Sequence, residues 1–299
     1  MNPAAASQQP ATGDEGPSAV WVNGQPIESR SADARSLVLD RGLHFGDGLF
    51  ETIACRHGRP RFLAEHLERL ALGCERLAIE FHSFGELSDE IAHLASGAER
   101  ALLKVLVTRG PATARGYAPQ GDERPSRIVL RYGWPLEDPR HAADGVAVRI
   151  SDLALGENPR LAGLKHLNRL ELVLARSELR GSPFVEALLL SSSGRLISGT
   201  MSNVFVVLGG RIKTPRLDRC GVAGVMRRAV MRTAADAGLP VEEALLGRAD
   251  LDSAEETFLT NARIGIWPVR AVESRIVVPG PITRQLQQLL RPSLEDERA

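Results

Sequence analysis

Leu161–Leu179 reads LAGLKHLNRLELVLARSEL. Apolar residues at Leu167, Leu170, Val173 and Leu174 recur at helical spacing, which predicts an amphipathic helix over His166–Leu179. Lys165 stands at the mouth of that helix, just before packing begins. A lysine there can reach into a cleft while the helix holds its base, or it can snorkel to solvent. Composition adds weight to the first reading. Of 37 basic residues only Lys104, Lys165 and Lys213 are lysine. Arginine serves wherever a solvated positive charge is enough, but it stays protonated and cannot act as an amine nucleophile. A lysine amine can lose its proton in a suitable pocket and form a Schiff base. Each surviving lysine is therefore a candidate for amine chemistry.

Outward from this stretch the chain divides. Toward the N-terminus, Val20–Ile27 reads as a hairpin around Asn23-Gly24. Leu49–Arg56 and Arg61–Leu63 flank a turn, and Leu63, Leu67, Leu70, Cys74 and Leu77 predict a helix over Leu63–Leu77. A weaker helix is expected over Glu86–Ala98 and strands over Ala101–Thr108 and Arg127–Tyr132, with a polar loop between the strands. Gly133–Ala143 carries two prolines and several charges and reads as a linker. Beyond it, strands are expected at Val146–Leu155, Val185–Leu190, Arg195–Ile197, Asn203–Leu208, Arg211–Thr214, Glu256–Thr260 and Ile276–Val278. Helices are expected from Gly224 to about Ala237 and over Ile282–Leu290. The expected organisation is a tail over 1–18, an N-terminal α/β domain over 19–133, a linker over 134–143 and a C-terminal domain over 144–292. The strands cluster in hairpins rather than alternating regularly with helices, so the fold class is mixed α/β.

The 37 acidic side chains cancel the 37 basic ones, so no net field draws the chain to nucleic acid or to an anionic membrane. Hydrophobic residues make up 43%, which suits a globular protein. No apolar run approaches the roughly 20 residues of a membrane helix. Met1–Ser18 lacks a signal-peptide pattern and reads as a disordered tail of a cytoplasmic protein. Cys55, Cys74 and Cys220 are scattered, without disulfide-framework or metal-site spacing.

Other residues could serve an anion. Arg69 lies on the predicted Leu63–Leu77 helix. Gly224-Val225-Met226 opens a helix and offers backbone N–H groups and a positive dipole end. Thr260-Asn261-Ala262 ends an apolar strand, and could present N–H groups to a phosphate or be just a turn. Lys104 lies in an apolar strand, where an unpaired ammonium is costly, so it needs a partner from substrate or from a structural carboxylate.

RGLHFGDGLFET (41–52), HLERL (66–70), GLKHLNRLE (163–171), SGTMSNVF (198–205), TPRLDRCGVAGVMR (214–227) and FLTNARIGIWPV (258–269) follow one another in an order that resembles the fold-type IV pyridoxal-phosphate enzymes. That family holds D-amino-acid and branched-chain aminotransferases and 4-amino-4-deoxychorismate lyase. GLKHLNRLE, the TPRLD run and the LKV, RG and RGY segments between 103 and 117 look most like the lyase branch. The resemblance covers about Val20–Pro292. It implies a two-domain fold with the active site between domains, near the subunit interface of a homodimer. It implies a pyridoxal 5'-phosphate Schiff base on Lys165, which also moves the proton. Arg69 then grips the cofactor phosphate, helped by the backbone of Val225, Met226, Asn261 and Ala262. Lys104, Arg109 and Arg115 are implied as partners for the two carboxylates of aminodeoxychorismate. The implied reaction yields 4-aminobenzoate and pyruvate, for folate synthesis. An aminotransferase on the same fold, or a non-catalytic binding protein that kept it, are the alternatives. Ser198 departs from the family pattern. Most members place a glutamate there, against the pyridine nitrogen, and a serine supplies no negative charge. Asn203 keeps the polar pattern and is expected to shape the local turn.

Overall fold

The computed structural model describes residues 19–26, 39–112 and 116–295. The tail expected over 1–18 and Arg115 lie outside the described residues. One sheet of six strands runs in the order Gln25–Pro26, Ala19–Val22, Ser126–Gly133, Arg100–Thr108, Gly48–Arg56, Arg59–Pro60. All its neighbours are antiparallel. Within Arg100–Thr108 burial alternates: Ala101, Leu103, Val105 and Val107 are buried, while Leu102, Lys104 and Leu106 point to the other face. The helices Leu63–Leu77 and Phe84–Ala95 cover the buried face, through Leu70, Cys74, Leu87, Ile91 and Leu94. The predicted Leu63–Leu77 helix is found with those bounds, because its apolar stripe matches this sheet face.

The second sheet has nine strands, mixed in direction. Its main path is Val241–Ala244, Arg211–Pro215, Asn203–Leu208, Glu256–Asn261, Gly265–Val272, Val146–Ile150, Glu186–Leu190, Leu196–Gly199, with Arg275–Ile276 paired to Gly265–Val272. Leu196–Gly199 lies five positions along the sheet from Asn203–Leu208, about 24 Å if the sheet were flat. Only Thr200–Ser202 join the two strands, a connection that spans at most about 14 Å. The sheet must therefore curl, which gathers Ser198, Asn203 and Asn261 around one opening.

Two expectations need correction, and one strand went unread. The helix after Lys165 spans Leu170–Ser177, not His166–Leu179. Residues 164–169 spend their backbone groups on neighbours: Phe50 N–H donates to Lys165 O, and Leu167 N–H donates to Gly48 O, both at 2.9 Å. The strand expected over Val146–Leu155 ends at Ile150. Gly265–Val272 forms a strand that the sequence did not announce. It holds Pro268, which lacks the N–H that a central strand normally donates.

Candidate active site

The Lys165 loop is stitched to the first sheet and to the segment that precedes the helix Val225–Asp236. Beyond the Phe50 and Leu167 bonds to the first, Gly163 N–H donates to Gly221 O, and Ala223 N–H donates to Gly163 O, each at 3.0 Å. The loop thus lies where the strand Gly48–Arg56 meets the segment leading into the helix Val225–Asp236. A cavity of about 700 Å³ opens there. Phe50, His66, Arg69, Lys165, Arg169, Ser198, Asn203, Val225, Met226, Asn261 and Ala262 are among its walls.

The Lys165 ammonium position lies 4.2 Å from the centre of the Phe50 ring. Lysine exposes some surface because the cavity reaches it, yet protein surrounds the amine and strips it of water. Burial first, and then the charge of Arg69, lower its pKa to about 7; Glu51 opposes the shift, and Arg169 and Lys104 add to it. An amine in this state is a competent nucleophile and proton acceptor near neutral pH.

Arg69 is held by a buried carboxylate. Its Nε donates to Glu51 Oε1 at 2.7 Å, its Nη2 to Glu51 Oε2, and its Nη1 to Ala223 O at 2.9 Å. His66 Nδ1 donates to the same carboxylate at 2.7 Å. Burial would raise the Glu51 pKa, but Arg69 and His66 overcome it and bring it to about 2. His66 Nε2 is buried and has no partner.

Beside Arg69, the helix Val225–Asp236 starts at Gly224. A Cβ at Gly224 would collide with Asn203 Oδ1, so only glycine fits. Asn203 in turn donates to Val222 O at 2.9 Å, the turn-shaping task expected of it. Asn261 Oδ1 accepts from the N–H groups of Arg263 at 2.9 Å and Ile264 at 3.0 Å, and its Nδ2 donates to Met201 O at 3.0 Å. These bonds fix the 261–264 turn at the cavity rim.

These features fit a bound phosphate ester. A guanidinium and the first N–H groups of a helix line one cavity, as an anion requires.

Ser198 is buried at the wall, and no protein partner meets its hydroxyl among the described residues. The turn that follows it, residues 199–202, closes on Glu186, which the sequence reading passed over. Its carboxylate accepts from the N–H groups of Thr200 at 3.1 Å and Met201 at 3.2 Å, and from Ser202 Oγ at 3.1 Å. Glu51, His66, Arg169 and Glu186 were all missed. A signal existed for Glu51 and Glu186, since a carboxylate inside an apolar strand must be paired.

Neither of two expected substrate cations, Lys104 and Arg109, is among the residues that line the cavity. Lys104 stands on the face of its strand that holds Phe50, 5.7 Å from that ring's centre. Arg109 is not on the cavity wall. Its Nε donates to Asp47 at 2.8 Å, and its Nη1 and Nη2 donate to Ala78 O at 2.6 Å and Leu77 O at 2.7 Å. It caps the C-terminus of the Leu63–Leu77 helix, where a cation meets the exposed carbonyls. That commitment leaves it no free edge for a substrate carboxylate.

With this fold and site, the chain belongs to the class IV amino-transferase family, whose model matches residues 48–272. It is 34% identical to an aminodeoxychorismate lyase from Vibrio harveyi, over 89% of this chain and 97% of that one. The crystal structure of a 4-amino-4-deoxychorismate lyase from Pseudomonas aeruginosa shares 42% identity and superposes with a TM-score of 0.86, covering 92% of this chain and 99% of that one. A T.th. branched-chain amino acid aminotransferase, solved with pyridoxamine 5'-phosphate, is 25% identical with a TM-score of 0.81, covering 94% and 95%. The fold is therefore the mixed α/β, fold-type IV arrangement.

Proposed function

We propose that the chain is a pyridoxal-phosphate-dependent lyase that converts 4-amino-4-deoxychorismate to 4-aminobenzoate and pyruvate. The observation that carries the proposal is the Lys165 amine, with a pKa lowered to about 7, facing a cavity that also holds Arg69 and a helix N-terminus. The two relatives named for this lyase support the choice of reaction over transamination.

Arg69 and the N–H groups of Val225 and Met226 would hold the cofactor phosphate, and the turn at Asn261 and Ala262 would close the cup. Bound pyridoxal phosphate supplies an electron sink conjugated with the substrate nitrogen. Lys165 takes the proton from the ring carbon that bears that nitrogen, since its amine is neutral for a large fraction of the time near pH 7. Loss of the proton lets the bond between the ring carbon and the enolpyruvyl oxygen break, the carbocycle becomes aromatic, and the released enolpyruvate takes up one proton to become pyruvate, which balances the one taken by Lys165. Lys104 faces the same side as Phe50 and offers a charge to one substrate carboxylate. Were the pyridine nitrogen to face Ser198, as the family pattern implies, it would lack an anionic partner there, which would suit a reaction driven by aromatisation better than one that needs a long-lived carbanion.

On this reading the chain forms two domains, residues 19–133 and 144–292, joined by 134–143, and works as a cytoplasmic homodimer. Exposed Leu170, Val173 and Leu174 near the cavity support a second copy packing there. The test is a stoichiometric assay of the holoenzyme with aminodeoxychorismate. Equal pyruvate and 4-aminobenzoate are expected. Rapid formation of pyridoxamine phosphate from D-alanine or L-leucine, with no pyruvate, would instead make it an aminotransferase.

A further inference from the structure

Arg169 has no place in the scheme above, although it lines the cavity four residues after Lys165. Its side chain folds back along the chain. Nη2 donates to Leu164 O and Nε donates to His166 O, both at 2.8 Å. These are the carbonyls on either side of Lys165. The carbonyl of Lys165 itself accepts from Phe50 N–H at 2.9 Å. Three successive carbonyls are thus tied down in a segment that has left helical geometry, and two of the ties come from one guanidinium. No carboxylate lies within ion-pair distance of Arg169 among the described residues.

Charge follows from the same placement. Lys165 is faced by Arg69 and His66 from the Leu63–Leu77 helix, by Glu51 from the strand Gly48–Arg56, by Lys104 from Arg100–Thr108, and by Arg169 from its own loop. Glu51 is the one anion in the group, and it is shared with Arg69 and His66. Burial lowers the pKa of Arg169 itself to about 10, with Arg69 adding to the effect and Glu171 opposing it. That cost is borne by a side chain whose hydrogen bonds go to two backbone carbonyls flanking a single residue. A neutral residue could not supply both the planar fork and the charge.

We propose that Arg169 is a positioning residue whose guanidinium fixes the backbone on both sides of Lys165 and sets a positive charge beside that side chain. The inference rests on Lys165 being the residue that works in the cavity. Its test does not depend on the cofactor, so it fails separately from the lyase reading.

The full chain, freed of cofactor, is pulse-labelled with an amine-acylating reagent from pH 6 to 10, and each lysine is followed by peptide mass spectrometry. With three lysines in the chain, every site is resolved. Lys213, paired to Glu242 at 3.2 Å, serves as the internal reference. In Arg169→Met the labelling midpoint of Lys165 is expected to rise by roughly 0.5 pH unit or more, while the labelling rate of Lys213 at each pH matches the parent. In Arg169→Lys the charge remains but the planar fork is lost. Amide exchange in the 163–168 peptide is expected to speed up at least tenfold in both variants. A Lys165 midpoint unmoved in Arg169→Met overturns the charge effect. Unchanged exchange in either variant overturns the clamp. If Arg169→Met fails to fold, Arg169→Gln replaces it, with the same expected midpoint and the same refuting result.

Discussion

Replacing Arg69 with alanine should destabilise the chain in a pH-dependent way, because it strands Glu51. In the parent, the Glu51 carboxylate is buried, and it accepts two bonds from Arg69 and one from His66. These hold its pKa near 2 against an ordinary 4.5, a difference worth roughly 3 kcal/mol. Breaking a buried pair by removing one partner typically costs about 3–5 kcal/mol, so the two magnitudes agree. Glu51 has a depressed folded-state pKa. Its stabilisation is therefore fully present above pH 4.5 and is lost as pH falls toward 2. Urea unfolding should show Arg69→Ala less stable than the parent by about 3 kcal/mol at pH 7. The gap should narrow to roughly 1 kcal/mol by pH 3. Cofactor affinity should also fall, by about 1.5–3 kcal/mol for the lost charge-assisted contact. A stability gap that is the same at pH 7 and pH 3 would refute the role given to the Glu51 pair. An unchanged cofactor affinity would refute the phosphate role.

Gly224→Ala should lower both the melting temperature and cofactor affinity, because the added methyl meets Asn203 Oδ1; an equilibrium binding titration and a thermal melt check it. Lys104→Met should raise KM for aminodeoxychorismate about tenfold or more with little change in cofactor affinity, as expected for one lost carboxylate contact; steady-state kinetics decide. Ser198→Glu should speed the half-reaction with amino acids while leaving lyase turnover within roughly tenfold, about 1.4 kcal/mol of barrier. Stopped-flow absorbance of the cofactor reports the former and pyruvate release the latter.

Much of the fold could be read in advance where one periodicity ruled a segment. Leu63–Leu77 faces a single sheet with a single stripe, and its bounds followed from that stripe alone. The segment after Lys165 carried an equally good stripe, yet its first four residues are not helical. The competing partners there, Gly48, Phe50 and the Arg169 side chain, come from tertiary contact or fold back locally, and periodicity does not register them. Gly265–Val272 escaped notice because Pro268 argues against a central strand. Of the candidate site, Lys165, Arg69, Val225, Met226, Asn261 and Ala262 do meet around one cavity. Arg109 does not join them, since the carbonyls it caps belong to a helix that ends some thirty residues earlier in the chain. A residue type reveals that a cation needs partners, but only the folded chain says which ones.

One amine is central to the chemistry. Borohydride reduction of the holoenzyme, followed by peptide mapping, asks which of Lys104, Lys165 and Lys213 carries the cofactor. The label is expected on Lys165 alone, in a stoichiometry matching the loss of the cofactor's visible absorbance. A label on Lys104 or Lys213, or no label on a coloured protein, would contradict it.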